Sequence, residues 1–150
     1  MILDLQLIRY KDRLVTKTID GKAYIHDPIR KKYIILTPEE MTRQLIVNYL
    51  IEDKKYSPQL IQLEKKIEVN KLTRRYDLIA YDRTLKPYLL LECKSHKIKI
   101  AQNTFDQIGN YNLSVKAPYL LISNGMQAYC YHVDYKTRKI CPLENVPELS

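Results

Sequence analysis

Glycine is scarce in this chain, with three in 150 residues; tryptophan is absent, phenylalanine occurs once and cysteine three times. Each shortage excludes something. With so little glycine the turns must rest on Asp, Asn, Pro and Lys, and no Gly-x-x-x-x-Gly-Lys-Ser/Thr phosphate loop is present. The cysteines, Cys93, Cys130 and Cys141, are odd in number and show no CxxC spacing. They read as reduced thiols of a cytoplasmic protein, neither a disulfide framework nor a zinc site. His26, His96 and His132 have no paired spacing for a histidine metal site or a catalytic triad. No apolar run approaches the roughly 20 residues of a spanning helix. The opening segment is interrupted by Asp4 and has no basic leader, so no signal peptide and no membrane association are expected.

What is present is enough for one folded unit. Hydrophobic residues make up 45% of the chain, which supports a core and argues against disorder. The length suits a single domain spanning 1–150. Twenty-five Lys and Arg against 17 Asp and Glu leave a formal charge of +8. That excess favours a polyanionic partner, nucleic acid before acidic membrane.

Local patterns give an element order. Residues 20–36 read as a hairpin, with β-prone runs at 23–26 and 33–36 around Asp27-Pro28-Ile29-Arg30. Thr37-Pro38-Glu39-Glu40 opens a helix, since Thr37 can cap, Pro38 suits the first position and Glu40 completes a capping box. Met41, Leu45, Ile46, Tyr49 and Leu50 then form one apolar face to about Ile51. Strands are expected at 60–69, where Ile61, Leu63, Ile67 and Val69 share a side, at 74–81, and at 88–94. The last of these is nearly all apolar, as a central strand covered on both faces would be. A second helix over about 100–113 places Gln107 and Tyr111 four apart. Strands at 118–123 and 127–133 follow, joined by the Asn124-Gly125 turn. The sum is an α/β sandwich with a mixed sheet.

Two strand ends concentrate charge. Asp77 lies within one run, and Glu92 and Lys94 close the next, with Cys93 between them. Burying such groups is costly unless they have a partner, a metal or water. Alternation puts Glu92 and Lys94 on one face and turns the Cys93 side chain to the other. With matching register, Asp77 faces Glu92. The two carboxylates and the backbone carbonyl of Cys93 then make an oxygen-rich half-shell suited to Mg²⁺, with Mn²⁺ as a substitute. A metal there neutralises phosphate and acidifies bound water, and Lys94 can orient the water or steady developing charge. These parts suit phosphodiester hydrolysis. A plain Glu92–Lys94 surface ion pair would explain the same residues without any chemistry. Arg74, Arg75, Lys97 and Lys99, with Lys71 and Lys94, are the candidate DNA-binding cations.

Asp77 followed by Glu92-x-Lys94 after an apolar strand resembles the PD-(D/E)XK nuclease superfamily. More narrowly, residues 20–133 resemble the N-terminal nuclease domain of type I restriction enzyme R subunits. The likeness is carried by Ile29-Arg30-Lys31-Lys32-Tyr33, Thr37-Pro38-Glu39-Glu40 with Arg43-Gln44, Arg75-Tyr76-Asp77-Leu78 and residues 87–94. Gln107-Ile108-Gly109-Asn110-Tyr111-Asn112 and 121–125 complete it. The resemblance implies a restriction-endonuclease-like αβββαβ core at about 37–133, Mg²⁺, and DNA endonuclease activity. It implies Asp77 and Glu92 as metal ligands, Lys94 as the catalytic lysine, and Glu40 as an acid supporting the metal through water. Gln107 and Tyr111 would contact the site or DNA. Tyr76 stands where the superfamily often has proline. The translocase of an R subunit is missing, so the expected partners are DNA and a separate translocase or specificity protein, with a homodimer open. A non-catalytic DNA-binding or assembly module of the same fold, or a nuclease acting on RNA or on branched or damaged DNA, is the competing expectation.

Overall fold

The computed structural model describes residues 2–69, 71–94 and 115–149, apart from the side chains of residues 67, 69, 72 and 74. A 3₁₀ turn at Leu7–Arg13 leads into strands β1 (Thr16–Ile19), β2 (Lys22–Asp27) and β3 (Lys32–Ile35). Helix α1 (Pro38–Glu52) follows, then β4 (Ile61–Val69), β5 (Leu72–Tyr81), β6 (Pro87–Cys93), β7 (Tyr119–Ser123), β8 (Ala128–Asp134) and β9 (Lys139–Leu143). Strands β1–β3 form a separate antiparallel sheet, and β4 to β9 make a six-stranded sheet in chain order. Its pairs are antiparallel except β6 and β7, which run parallel with Leu89 opposite Tyr119. A parallel pair needs a crossover of a dozen residues or more, and residues 94–118 provide that length. The expected second helix at 100–113, with Gln107 and Tyr111, lies outside the described residues, as do His96, Lys97 and Lys99.

The sequence dictates why the sheet centre is buried. In β6, Leu89 and Leu91 enter one core with Ile46 and Leu50 of α1, Leu78, Ala80 and Leu121. Leu90 faces the other way, into a second cluster with Ile79, Leu120 and Ile122. The uninterrupted apolar run thus occupies a strand covered on both faces. Each such fully buried aliphatic side chain stabilises the fold by about 1.5–3 kcal/mol.

Helix α1 begins where the capping signals put it. Thr37 is extended and its hydroxyl accepts from the Glu40 N–H at 3.0 Å, with Pro38 behind it. Of the expected apolar face, Met41 and Leu45 are only half-buried. Beside Ile46, Tyr49 and Leu50, the helix buries Val47, Thr42, Arg43 and Gln44, so its first half is polar yet enclosed. The Asn124-Gly125 turn joins β7 to β8 through the Asn124 side chain, whose Oδ1 accepts from the Met126 and Gln127 N–H groups. Gly125 adopts φ +88°, and a Cβ there would meet Thr42 Oγ1 of α1 at 3.1 Å. The positive φ is what favours glycine at this point, and a side chain would in addition press on Thr42. Four of the described elements were not expected from the sequence: the 3₁₀ turns at Leu7–Arg13 and Pro58–Leu60, β1 and β9.

Candidate active site

The register of three neighbouring strands sets one acidic row. In β4 and β5, the pairs Leu63–Leu78 and Lys65–Tyr76 bracket Glu64 and Asp77, which face each other across the ladder. In β5 and β6, pairing ends at Leu78–Leu91, leaving Asp77 beside Glu92 and Cys93. The departure from regular pairing has a visible cause. The Asp77 Oδ2 atom accepts the Cys93 N–H at 2.7 Å, so a side chain replaces backbone in the ladder.

Each acid in the row is held differently. Asp77 is buried, and its Oδ1 accepts from Arg43 Nη2 at 2.9 Å. Glu92 accepts from Lys94 Nζ at 3.1 Å, with the two side chains 19% and 24% exposed. That pair is therefore not a freely solvated surface contact. Glu92 also lies within hydrogen-bonding reach of Asp77, and its carboxyl is pushed up to about 7. Burial is the first cause and the charge of Asp77 the second, while Lys94 opposes them. Burial alone would pull Lys94 down, but the charge and hydrogen bond of Glu92 leave it raised. Lys94 is consequently protonated at neutral pH.

Glu64 has the least expected geometry. It sits inside a strand with φ +56°, in the left-handed region that non-glycine residues adopt at a cost of about 1–2 kcal/mol. Its carboxylate reaches Arg43 Nη2 at 2.7 Å and Arg75 Nη1 at 3.2 Å. Arg43, only 4% exposed, is the hub. Besides Asp77 and Glu64 it donates from Nη1 to Glu40 at 2.8 Å and stands 3.4 Å from Glu39. Its Nε has no partner among the described residues. Burial lowers its pKa, and the charges of Asp77 and Glu40 more than reverse that, so it is permanently charged. Removing a buried partner of this kind strands opposing charge, at about 3–5 kcal/mol.

Glu40 belongs to this network. Its backbone N–H takes the Thr37 cap, but its carboxylate accepts from Arg30 Nη2 at 2.7 Å, from Arg43 and from Gln44. The capping-box role expected for that carboxylate is replaced by the arginine network. Arg30 also pairs with the fully buried Asp27, so the β2–β3 turn is tied to α1 beside the site. Glu39, half-exposed, has its carboxyl raised by burial and then by Asp77.

Sequence spacing thus led to Asp77, Glu92 and Lys94, and the resemblance added Glu40; the fold brings the four together. Neither assigned a role to Arg43, Glu64, Arg30, Asp27 or Glu39. One signal existed for Glu64: the short connection between β4 and β5 places it opposite Asp77 once the hairpin is counted back. Cys93 supplies its N–H to Asp77, while its thiol joins the apolar core and is pushed well up by burial. Cys130 is buried likewise and raised to about 12. Both thiols are poor nucleophiles. Of the DNA-binding candidates, Arg75 is exposed and bonded to Glu64. Tyr111, Lys97, Lys99, Gln107 and the Arg74 side chain lie outside the described residues.

Among the described residues no three His, Cys, Asp or Glu side chains converge on one metal position. Asp77 and Glu92 are a two-carboxylate set whose mutual repulsion a cation relieves. Such a set fits an ion that keeps water and phosphate as its other ligands. Among the same residues no helix is long and apolar enough to cross a membrane.

Comparison with known proteins bears on the fold and on the family. A search of curated proteins finds no match. Among solved structures, the fold is similar to a fragment described as an HsdR subunit of a type I restriction enzyme from Vibrio vulnificus YJ016, with TM-score 0.55 and 16% identity. The match covers 75% of this chain and 24% of that one, so the chain spans about a quarter of that relative's length. The family model for the type I restriction enzyme R protein N-terminus (HSDR_N) matches residues 38–147, and the chain belongs to that family.

Proposed function

We propose that this chain is a metal-dependent DNA endonuclease domain of the PD-(D/E)XK type, hydrolysing phosphodiester bonds at Asp77, Glu92 and Lys94. The observation that carries the reading is the meeting of Asp77, within β5, and Glu92, at the end of β6, with Lys94 bonded to Glu92. A Mg²⁺ or Mn²⁺ ion held by Asp77 and Glu92, with the Cys93 carbonyl beside them, would supply charge neutralisation and a more acidic bound water. The protein's own contribution follows from its charges. In this reading Lys94, bonded to Glu92, orients the attacking water and steadies negative charge on phosphate. The Cys93 N–H and Arg43 hold the Asp77 carboxylate in one orientation. Glu40 acts through Arg43, which it anchors.

The substrate in this reading is DNA. The translocating motor and the specificity function of a restriction system would come from other residues of a longer polypeptide or from separate proteins, and pairing of two copies would allow cleavage of both strands. One observation favours the competing reading of a non-catalytic docking module: both Asp77 oxygens already accept hydrogen bonds.

Plasmid cleavage separates the two. Supercoiled DNA with Mg²⁺ or Mn²⁺ is expected to be nicked or linearised, with EDTA abolishing the reaction and Lys94→Ala lowering it by at least about 10²-fold. Salt-sensitive DNA binding without any cutting would establish the docking module in its place.

A further inference from the structure

We propose that Glu64 is a positioning residue that retains Arg43, so that Asp77 can turn an oxygen towards a divalent cation. The inference rests on the metal-dependent reading above and assigns a role to a carboxylate outside the Asp77, Glu92 and Lys94 set.

Arg43 Nη2 has two hydrogens and three carboxylates near it: Glu64 at 2.7 Å, Asp77 at 2.9 Å and Glu39 at 3.4 Å. The two short contacts share the two hydrogens of that nitrogen. A guanidinium this buried must keep its charge matched. Were Asp77 its main partner at that nitrogen, a cation drawing on Asp77 would strand the guanidinium and metal uptake would be opposed. Glu64 removes that conflict. It keeps Nη2 paired while Glu40 keeps Nη1 paired at 2.8 Å.

The backbone supports a built arrangement. Glu64 interrupts the β4–β5 ladder opposite Asp77 and holds φ +56° in mid-strand. Backbone of that kind persists only where surrounding contacts over-determine it, and here two arginines grip the side chain. Glu64 does not complete a three-carboxylate cation cage with Asp77 and Glu92. Its influence on the cation therefore runs through Arg43.

A double-mutant cycle on metal affinity tests this, with Mn²⁺ as the probe, titration calorimetry as the readout and thermal melting to verify folding. Glu64→Gln, isosteric and uncharged, is expected to weaken Mn²⁺ binding about ten-fold. In an Arg43→Gln background the same substitution is expected to change affinity less than about two-fold. Should Arg43→Gln not fold, Arg43→Lys replaces it, since a single ammonium cannot bridge the carboxylates as the fork does. An equal loss in both backgrounds would mean that Glu64 acts by its charge alone, and an unchanged affinity in Glu64→Gln would mean that it has no role; either result overturns the proposal. Wild-type protein that takes up no Mn²⁺ overturns the metal-dependent reading, and this inference with it.

Discussion

The carboxyl of Glu92 is pushed up to about 7, first by burial, then by Asp77, with Lys94 resisting. An acid raised in this way holds its proton more tightly in the native state than in the unfolded chain. The stability it contributes is fully present below its ordinary value of 4.5 and is lost as the pH rises through about 7. At about 1.4 kcal/mol per pH unit, the cost at pH 8 is on the order of 3 kcal/mol. Metal-free Glu92→Gln is therefore expected to be more stable than wild type at pH 8, and the advantage should shrink towards pH 5. Urea denaturation in EDTA across that range measures it; a difference flat in pH would contradict the assignment. Glu92 and Lys94 were legible because charge at the end of an apolar strand is conspicuous, and Asp77 because it stands just before the apolar Leu78-Ile79-Ala80 of the preceding strand. Arg43 was not, because an arginine three residues after a glutamate reads as a solvated helix face. Only the packing of α1 against the sheet reveals that it is enclosed.

At the scale of elements, α1 carries Glu39, Glu40 and Arg43, so the start of this helix governs the site. Thr37 accepts the Glu40 N–H, and an N-cap of this kind is worth about 1 kcal/mol. Thr37→Ala is expected to lower unfolding free energy by roughly that amount. Chemical denaturation with an unchanged dependence on denaturant checks it, whereas a loss below a few tenths would show that Pro38 suffices. The helix start and the β7–β8 turn were legible because capping and turn chemistry act over four or five residues. β1 and β9 were not. Every residue of β1 is exposed, and β9 is an edge strand with Pro142 and little burial. Neither shows the alternation by which a half-buried strand is recognised.

For the whole molecule, the mixed sheet was readable from the run of elements, while the acidic row across β4, β5 and β6 required register that local patterns do not fix. The charge of +8 has to be weighed against this geometry. Arg30, Arg43 and Lys94 are matched to carboxylates, so they neutralise the interior and contribute little to a surface field. The proposed binding of DNA would draw on exposed cations such as Lys71 and Arg75. Each phosphate contact releases counterions, giving a slope near −0.9 in log affinity against log salt. With about four contacts, affinity falls roughly 10²-fold between 50 and 200 mM salt. Fluorescence anisotropy of a labelled duplex in EDTA measures this, and Arg75→Ala is expected to reduce the slope by about one. Because Arg75 also holds Glu64, the same variant should loosen the β4 side of the site. An affinity that hardly changes over that salt range would remove the electrostatic basis for a DNA substrate and leave the carboxylate row without a polyanion to act on.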